Sequence, residues 1–201
     1  MKKFTTNLLK KFLENNKDMC LTSQSPDSVL NSYILFFRNK FGVLNPVKVA
    51  IQLHRSLNVF FQIFLLKKKK SIAFIGYPKM LKSLLTSYAN KLDIALLEPK
   101  DCQKLKLKKK DFFIKNKLLA ELNLIVIYDL VECENILPDV ISLGVPIIYF
   151  TSGNSKHVKT FFNLRNGFHY PVFINNYSHH FIALFYVKFL EKLLGYRRLK
   201  R

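Results

Sequence analysis

The chain has 201 residues, 49% of them hydrophobic and 14% aromatic, and sets 33 Lys and Arg against 13 Asp and Glu for a formal charge of +20. That much apolar material excludes a disordered tail and is enough for one domain with a substantial core. The charge excludes a surface left to itself: it is self-repelling and calls for an anionic partner, lipid or nucleic acid, and basic residues spread along the whole chain as well as in runs favour nucleic acid.

The first residues, MKKFTTNLLKKFL, are basic and contain no acid before Glu14, as an import signal would. They lack arginine, however, and Phe4, Leu8, Leu9 and Phe12 share one helical face, so they read as an amphipathic helix that docks on the domain. Residues 13–32 form a polar lead-in around Ser25-Pro26-Asp27, and the two together make an N-terminal helix and lead-in segment over 1–45. A bilayer needs about 20 consecutive apolar residues. The stretches 33–37, 57–66 and 181–190 are all shorter, and Asn58, Gln62 and Lys188 interrupt the last two, so no membrane span is expected.

From residue 46 onwards short apolar runs alternate with helical patterns, the signature of a parallel sheet covered on both faces. Strands are predicted over 47–51, 72–76, 94–97, 124–128, 146–151 and 172–174, and helices over 54–66, 79–91, 112–121, 135–143 and 178–194. At FFQIFLLKKKKSIAFIGYPK, residues 60–79, Leu57, Phe60, Phe61, Phe64 and Leu65 fall at helical spacing. Lys67, Lys68, Lys69 and Lys70 then stand at the helix C-terminus, where cations are favoured, before the next strand. The expectation is an α/β fold, a flavodoxin-like or Rossmann-like parallel sheet in a single domain over 46–194, followed by a basic C-terminal tail over 195–201.

Folds of this kind place ligands at the strand ends, and there the enzyme reading is weak. After Gly76 come Tyr77, Pro78 and Lys79, which is no G-x-G-x-x-G, and there is no Walker A run. Asp129 follows a strand but reads as a cap or turn residue, and Thr151-Ser152-Gly153-Asn154 as a plain loop. Cys20, Cys102 and Cys133 lack C-x-x-C spacing, and His54, His157, His169, His179 and His180 lack ligand spacing, so neither a metal nor another cofactor is expected.

The order of these stretches resembles the bacterial-type small-subunit ribosomal protein S-two family. Ile51-Gln-Leu-His-Arg-Ser-Leu57 is similar to the family's I-D-L-E-K-T-L, which ends its first strand and opens the following helix, and Ile72-Ala-Phe-Ile-Gly76 to its I-L-F-V-G. Leu124-Ile-Val-Ile-Tyr-Asp129 is similar to its apolar strand ending in Asp, and Leu143-Gly-Val-Pro-Ile-Ile148 to its L-G-I-P-V-V. Asn154 stands where the family has D-T-N, and Tyr170-Pro-Val-Phe-Ile-Asn175 where it has Y-P-I-P-G-N. Tyr33-Ile34 and Arg38-Asn39 echo its Y-I-F-G-E-R-N. The departures are as informative: Gln52 replaces an acid, Phe173-Ile174 replace Pro-Gly, and the G-H-x-T-x-x-W-N-P-K-M loop is absent. The R-W-L-G-G-T-L-T-N motif and its long helical hairpin are also missing, with residues 98–121 in their place.

The resemblance implies a structural constituent of the small ribosomal subunit, without catalysis or small-molecule substrate, in contact with small-subunit ribosomal RNA and neighbouring ribosomal proteins. A chain with 19 Phe and no Trp, rich in Lys, Asn and Ile, fits an AT-rich genome, and the expected location is the mitochondrial matrix. Three basic runs are the RNA-binding candidates: Lys67, Lys68, Lys69 and Lys70; Lys104, Lys106, Lys108, Lys109 and Lys110; and Arg197, Arg198, Lys200 and Arg201. Blocks of like charge are costly without a polyanion, and lysines gain affinity for RNA by releasing its counterions. The segment 98–121 is expected to form a basic connection and one short helix. The rival readings are a Rossmann-like enzyme or small-molecule binder and a peripheral membrane protein held by amphipathic helices and lysines.

Overall fold

The computed structural model describes residues 28–38, 41–66, 72–77, 82–92, 94–98, 122–128, 133–151 and 169–173. Over these the chain runs through a 3-10 helix (Ser28–Tyr33), a hairpin of β1 (Ile34–Arg38) and β2 (Phe41–Leu44), and α1 (Pro46–Leu66). Then come β3 (Ile72–Ile75), α2 (Lys82–Leu92), β4 (Ala95–Leu97), β5 (Leu124–Ile127), a 3-10 turn (Glu134–Ile136), α3 (Leu137–Ser142), β6 (Ile147–Thr151) and β7 (His169–Phe173).

The runs IAFI, LIVI and IIYFT are buried at every position, as strands covered on both faces must be. With β4 and β7 they form one parallel sheet in the order β4-β3-β5-β6-β7. Numbered along the chain, its five strands lie 2-1-3-4-5, the flavodoxin-like doubly wound order. Alternate side chains divide the core in two. Ala73, Ile75, Ile125, Ile127, Ile147 and Tyr149 face α3, the two 3-10 segments and the base of the hairpin. Ile72, Phe74, Leu124, Val126, Ile148 and Phe150 face α1 and α2 through Leu53, Leu57, Phe60, Leu85 and Ala89. Helices therefore cover both faces, as predicted, and the packed core reaches back to Leu30 and Leu44.

One predicted strand is corrected: residues 47–51 are the opening turns of α1. The alternation of Val47, Val49 and Ile51 suggests a strand, but the preceding Asn45-Pro46 is a helix start. Asn45 Oδ1 accepts from the backbone N–H of Val47 at 3.0 Å and of Lys48 at 3.4 Å, and Pro46 occupies the first helical position, where its missing N–H costs nothing. Val49 is buried while Val47 and Ile51 are exposed, a helical and not a strand pattern. Consequently Ile51–57, compared above with a strand end and helix opening, lies wholly inside α1.

Shorter differences have equally local causes. The hairpin was not expected as strands. The strand predicted over 172–174 begins at His169 and includes Pro171, which is tolerated because β7 is at the edge of the sheet. α1 guards that edge: Gln52 Oε1, on a buried side chain, accepts the Phe173 N–H at 3.4 Å. Ile94 is outside β4 because its N–H closes the end of α2 on the Ala89 carbonyl at 3.0 Å. The segments predicted as helices over 112–121 and 178–194 lie outside the described residues.

Asn45→Ala removes the cap of α1 and is expected to lower stability by about 1 kcal/mol, with Asn45→Asp close to neutral. Urea unfolding of the full chain measures it; equal stability of all three would contradict a helix beginning at Pro46.

Candidate functional site

In a doubly wound sheet the crevice for a ligand lies beyond the carboxyl ends of the strands, where the strand order reverses. Here that point is β3, between β4 and β5. Gly76 leaves β3 with φ +71°, a left-handed conformation that favours glycine, and donates its N–H to the Leu97 carbonyl at 3.0 Å. The N–H of Tyr128, one residue past β5, donates to the Ile75 carbonyl at 3.0 Å. The Tyr77 hydroxyl donates to Glu98 Oε1 at 3.0 Å, and Lys82 Nζ reaches the same oxygen at 2.5 Å. This cluster ties the ends of β3 and β4 to the start of α2. With Lys82 61% and Glu98 38% exposed, the ion pair orients more than it stabilises, at roughly 0–1 kcal/mol.

No group of three His, Cys, Asp or Glu among the described residues is arranged to hold a metal ion. Thr151 is fully buried at the end of β6, while Asp129, Ser152, Gly153 and Asn154 lie outside the described residues. Cys133 is a buried free thiol, and Cys20 and Cys102 lie outside. Of the histidines, His54 Nε2 is 3.2 Å from Asn58 Nδ2 one turn along α1, and His169 opens β7. His157, His179 and His180 are outside the described residues.

All the RNA-binding candidates also lie outside them: Lys67 to Lys70, Lys104, Lys106, Lys108 to Lys110, Arg197, Arg198, Lys200 and Arg201. Their places in the connectivity are fixed nonetheless. The first run joins α1 to the amino end of β3, the second belongs to the connection that leaves the carboxyl end of β4 for β5, and the third follows β7. The described residues hold Arg38, Lys48, Arg55, Lys82 and Lys91 against Glu98, Glu134 and Asp139, a net +2, and the residues outside them carry the other +18. Lys48 Nζ donates to the Ser32 carbonyl and Lys82 pairs with Glu98, so even these few cations are partly engaged within the fold.

No protein-family model and no curated protein matches this chain.

Two features escaped sequence reasoning. The Tyr77–Glu98–Lys82 cluster joins residues distant in the chain and has no sequence signal beyond their place at strand ends. The β1–β2 hairpin had one, two apolar runs around Arg38-Asn39-Lys40, and it brings Leu35, Phe36 and Phe37 to the surface.

Burial holds the pKa of His169 below its ordinary 6.5. As pH falls through about 6.5 the unfolded chain takes up the proton first, so folded stability decreases below that pH and is unaffected above it. The urea midpoint of the full chain is expected to fall between about pH 7.5 and about pH 5.5, with a smaller fall in His169→Gln. An identical pH dependence in the variant would contradict this.

Proposed function

We propose that the chain is a structural constituent of a small ribosomal subunit, in a mitochondrion, and a divergent relative of the S-two family that binds ribosomal RNA and neighbouring ribosomal proteins. The observation that carries the reading is the charge pattern of the sequence, a formal +20 with contiguous basic runs at Lys67 to Lys70, Lys104 to Lys110 and Arg197 to Arg201, on a chain with a doubly wound parallel sheet. An enzyme of this fold concentrates chemistry at the strand ends, whereas this chain concentrates lysine in contiguous segments of the sequence. Lysines on such segments suit a dense phosphate surface, which they position against without reading bases.

The resembling motifs have physical support. Gly76, which ends the I-A-F-I-G stretch, and Gly144, within L-G-V-P, have φ of +71° and +65°, so both glycines meet a backbone requirement. Gly144 follows α3 and donates its N–H to the Ile141 carbonyl at 3.1 Å, and Pro146 then leads into β6. The stretch compared with I-D-L-E-K-T-L lies inside α1 and lends the resemblance no such support.

The native, tagged full chain is expected to sediment with the small subunit and to be released by RNase. Migration as a free protein, or purification with a stoichiometric nucleotide, would contradict the reading. Replacing Lys67, Lys68, Lys69 and Lys70 by Glu is expected to lower incorporation into the particle by at least about tenfold. The circular dichroism of the chain should not change, and unfolding or full incorporation would each contradict an RNA-facing role for this run.

A further inference from the structure

All five strands of the larger sheet are parallel, so their amino ends lie together at one end and their carboxyl ends at the other. The helices on the α1 and α2 face run the opposite way. α2 follows the carboxyl end of β3 and leads back to the amino end of β4. α1 begins near the carboxyl end, where Gln52 meets Phe173, the last residue of β7, and residues 67–71 alone separate its end from the start of β3. Both helices therefore finish at the amino end of the sheet.

A connection of a few residues between two described elements belongs to the end of the sheet at which it starts and stops. The amino end receives residues 67–71 with Lys67, Lys68, Lys69 and Lys70, the exposed Lys91 in the last turn of α2, and one acid, Asp93. The connection into β6, residues 143–146, is uncharged. At the carboxyl end, Lys48 Nζ donates to the Ser32 carbonyl and Lys82 pairs with Glu98. In the short connections after β3 and β5, Asp129, Glu132 and Glu134 outnumber Lys79. Residues 99–121 and 152–168 lead from one end of the sheet to the other and belong to neither alone, and residues 1–27 and 174–201 are tied to described elements at one side only.

We propose that the amino end of the sheet, with Lys67 to Lys70 and Lys91, is the surface that faces ribosomal RNA, and that the crevice beyond the carboxyl ends of β3 and β5 lies off it. This assignment rests on the ribosomal reading above. Helix carboxyl termini favour cations, and α1 and α2 both end here, so the fold itself accommodates lysines at this end before any RNA is bound. A phosphate backbone gains affinity by releasing its counterions to lysine and is opposed by carboxylates. Folds of this strand order take small ligands at the carboxyl end. In this chain that end is braced by Tyr77, Lys82 and Glu98 and edged by acids, so the polyanion meets the opposite end.

The two ends of α2 are about 15 Å apart and allow the test to be made across one helix. Native particles containing the full chain are acetylated briefly, intact and after RNase, and the reactivity of each lysine is read by mass spectrometry. Lys67 to Lys70 and Lys91 are expected to be at least about threefold less reactive in the intact particle, with Lys79 and Lys82 equally reactive in both. In a second arm, Lys91→Glu is expected to lower incorporation into the particle about threefold. Lys79→Glu, the same charge reversal at the other end of α2, should leave incorporation unchanged, and the circular dichroism of both chains should match that of the parent. Protection of Lys79 and Lys82, full reactivity of Lys67 to Lys70 and Lys91 in the particle, or equal incorporation of the two variants would overturn the assignment and leave the ribosomal reading in place. A chain found in no RNase-sensitive particle would overturn both.

Discussion

Burial of β5 on both faces is the constraint on which the rest of this fold depends. Its side chains point alternately into two cores, Ile125 and Ile127 into one and Leu124 and Val126 into the other, so neither face can meet water. Helices and the hairpin base must therefore cover both sides, and the backbone ladder fixes β3 and β6 beside it.

The fold was legible where burial leaves a local trace. The apolar runs at Ile72, Leu124 and Ile147 are unmistakable because a strand covered on both faces is apolar at nearly every position. Where two local signals compete, periodicity misleads. Val47, Val49 and Ile51 alternate like a strand, but Asn45 and Pro46 decide the matter by capping and opening a helix that hydrophobic contacts at Val49, Leu53 and Leu57 then hold. The start of β7 was hidden by Pro171, which breaks an inner strand and not an edge strand.

The candidate site was less legible, for a different reason. Tyr77, Lys82 and Glu98 meet only because β3 and β4 are neighbours in space, and no spacing in the chain announces that. The lysine runs were visible at once, since charge needs no fold to be counted, yet their partners are set by surfaces outside this chain. Leu35, Phe36 and Phe37 belong to an apolar run too short to span a bilayer, and the small two-stranded sheet turns them outward.

The account rests on the basic runs of the chain facing RNA, and mapping the peptides of the native protein that ultraviolet light joins to RNA tests it most directly. Adducts are predicted in residues 67–71, 98–121 and 174–201, with none in the strands β3, β5 and β6. Adducts concentrated in the elements of the frame, or a native protein with no RNA adduct, would contradict it.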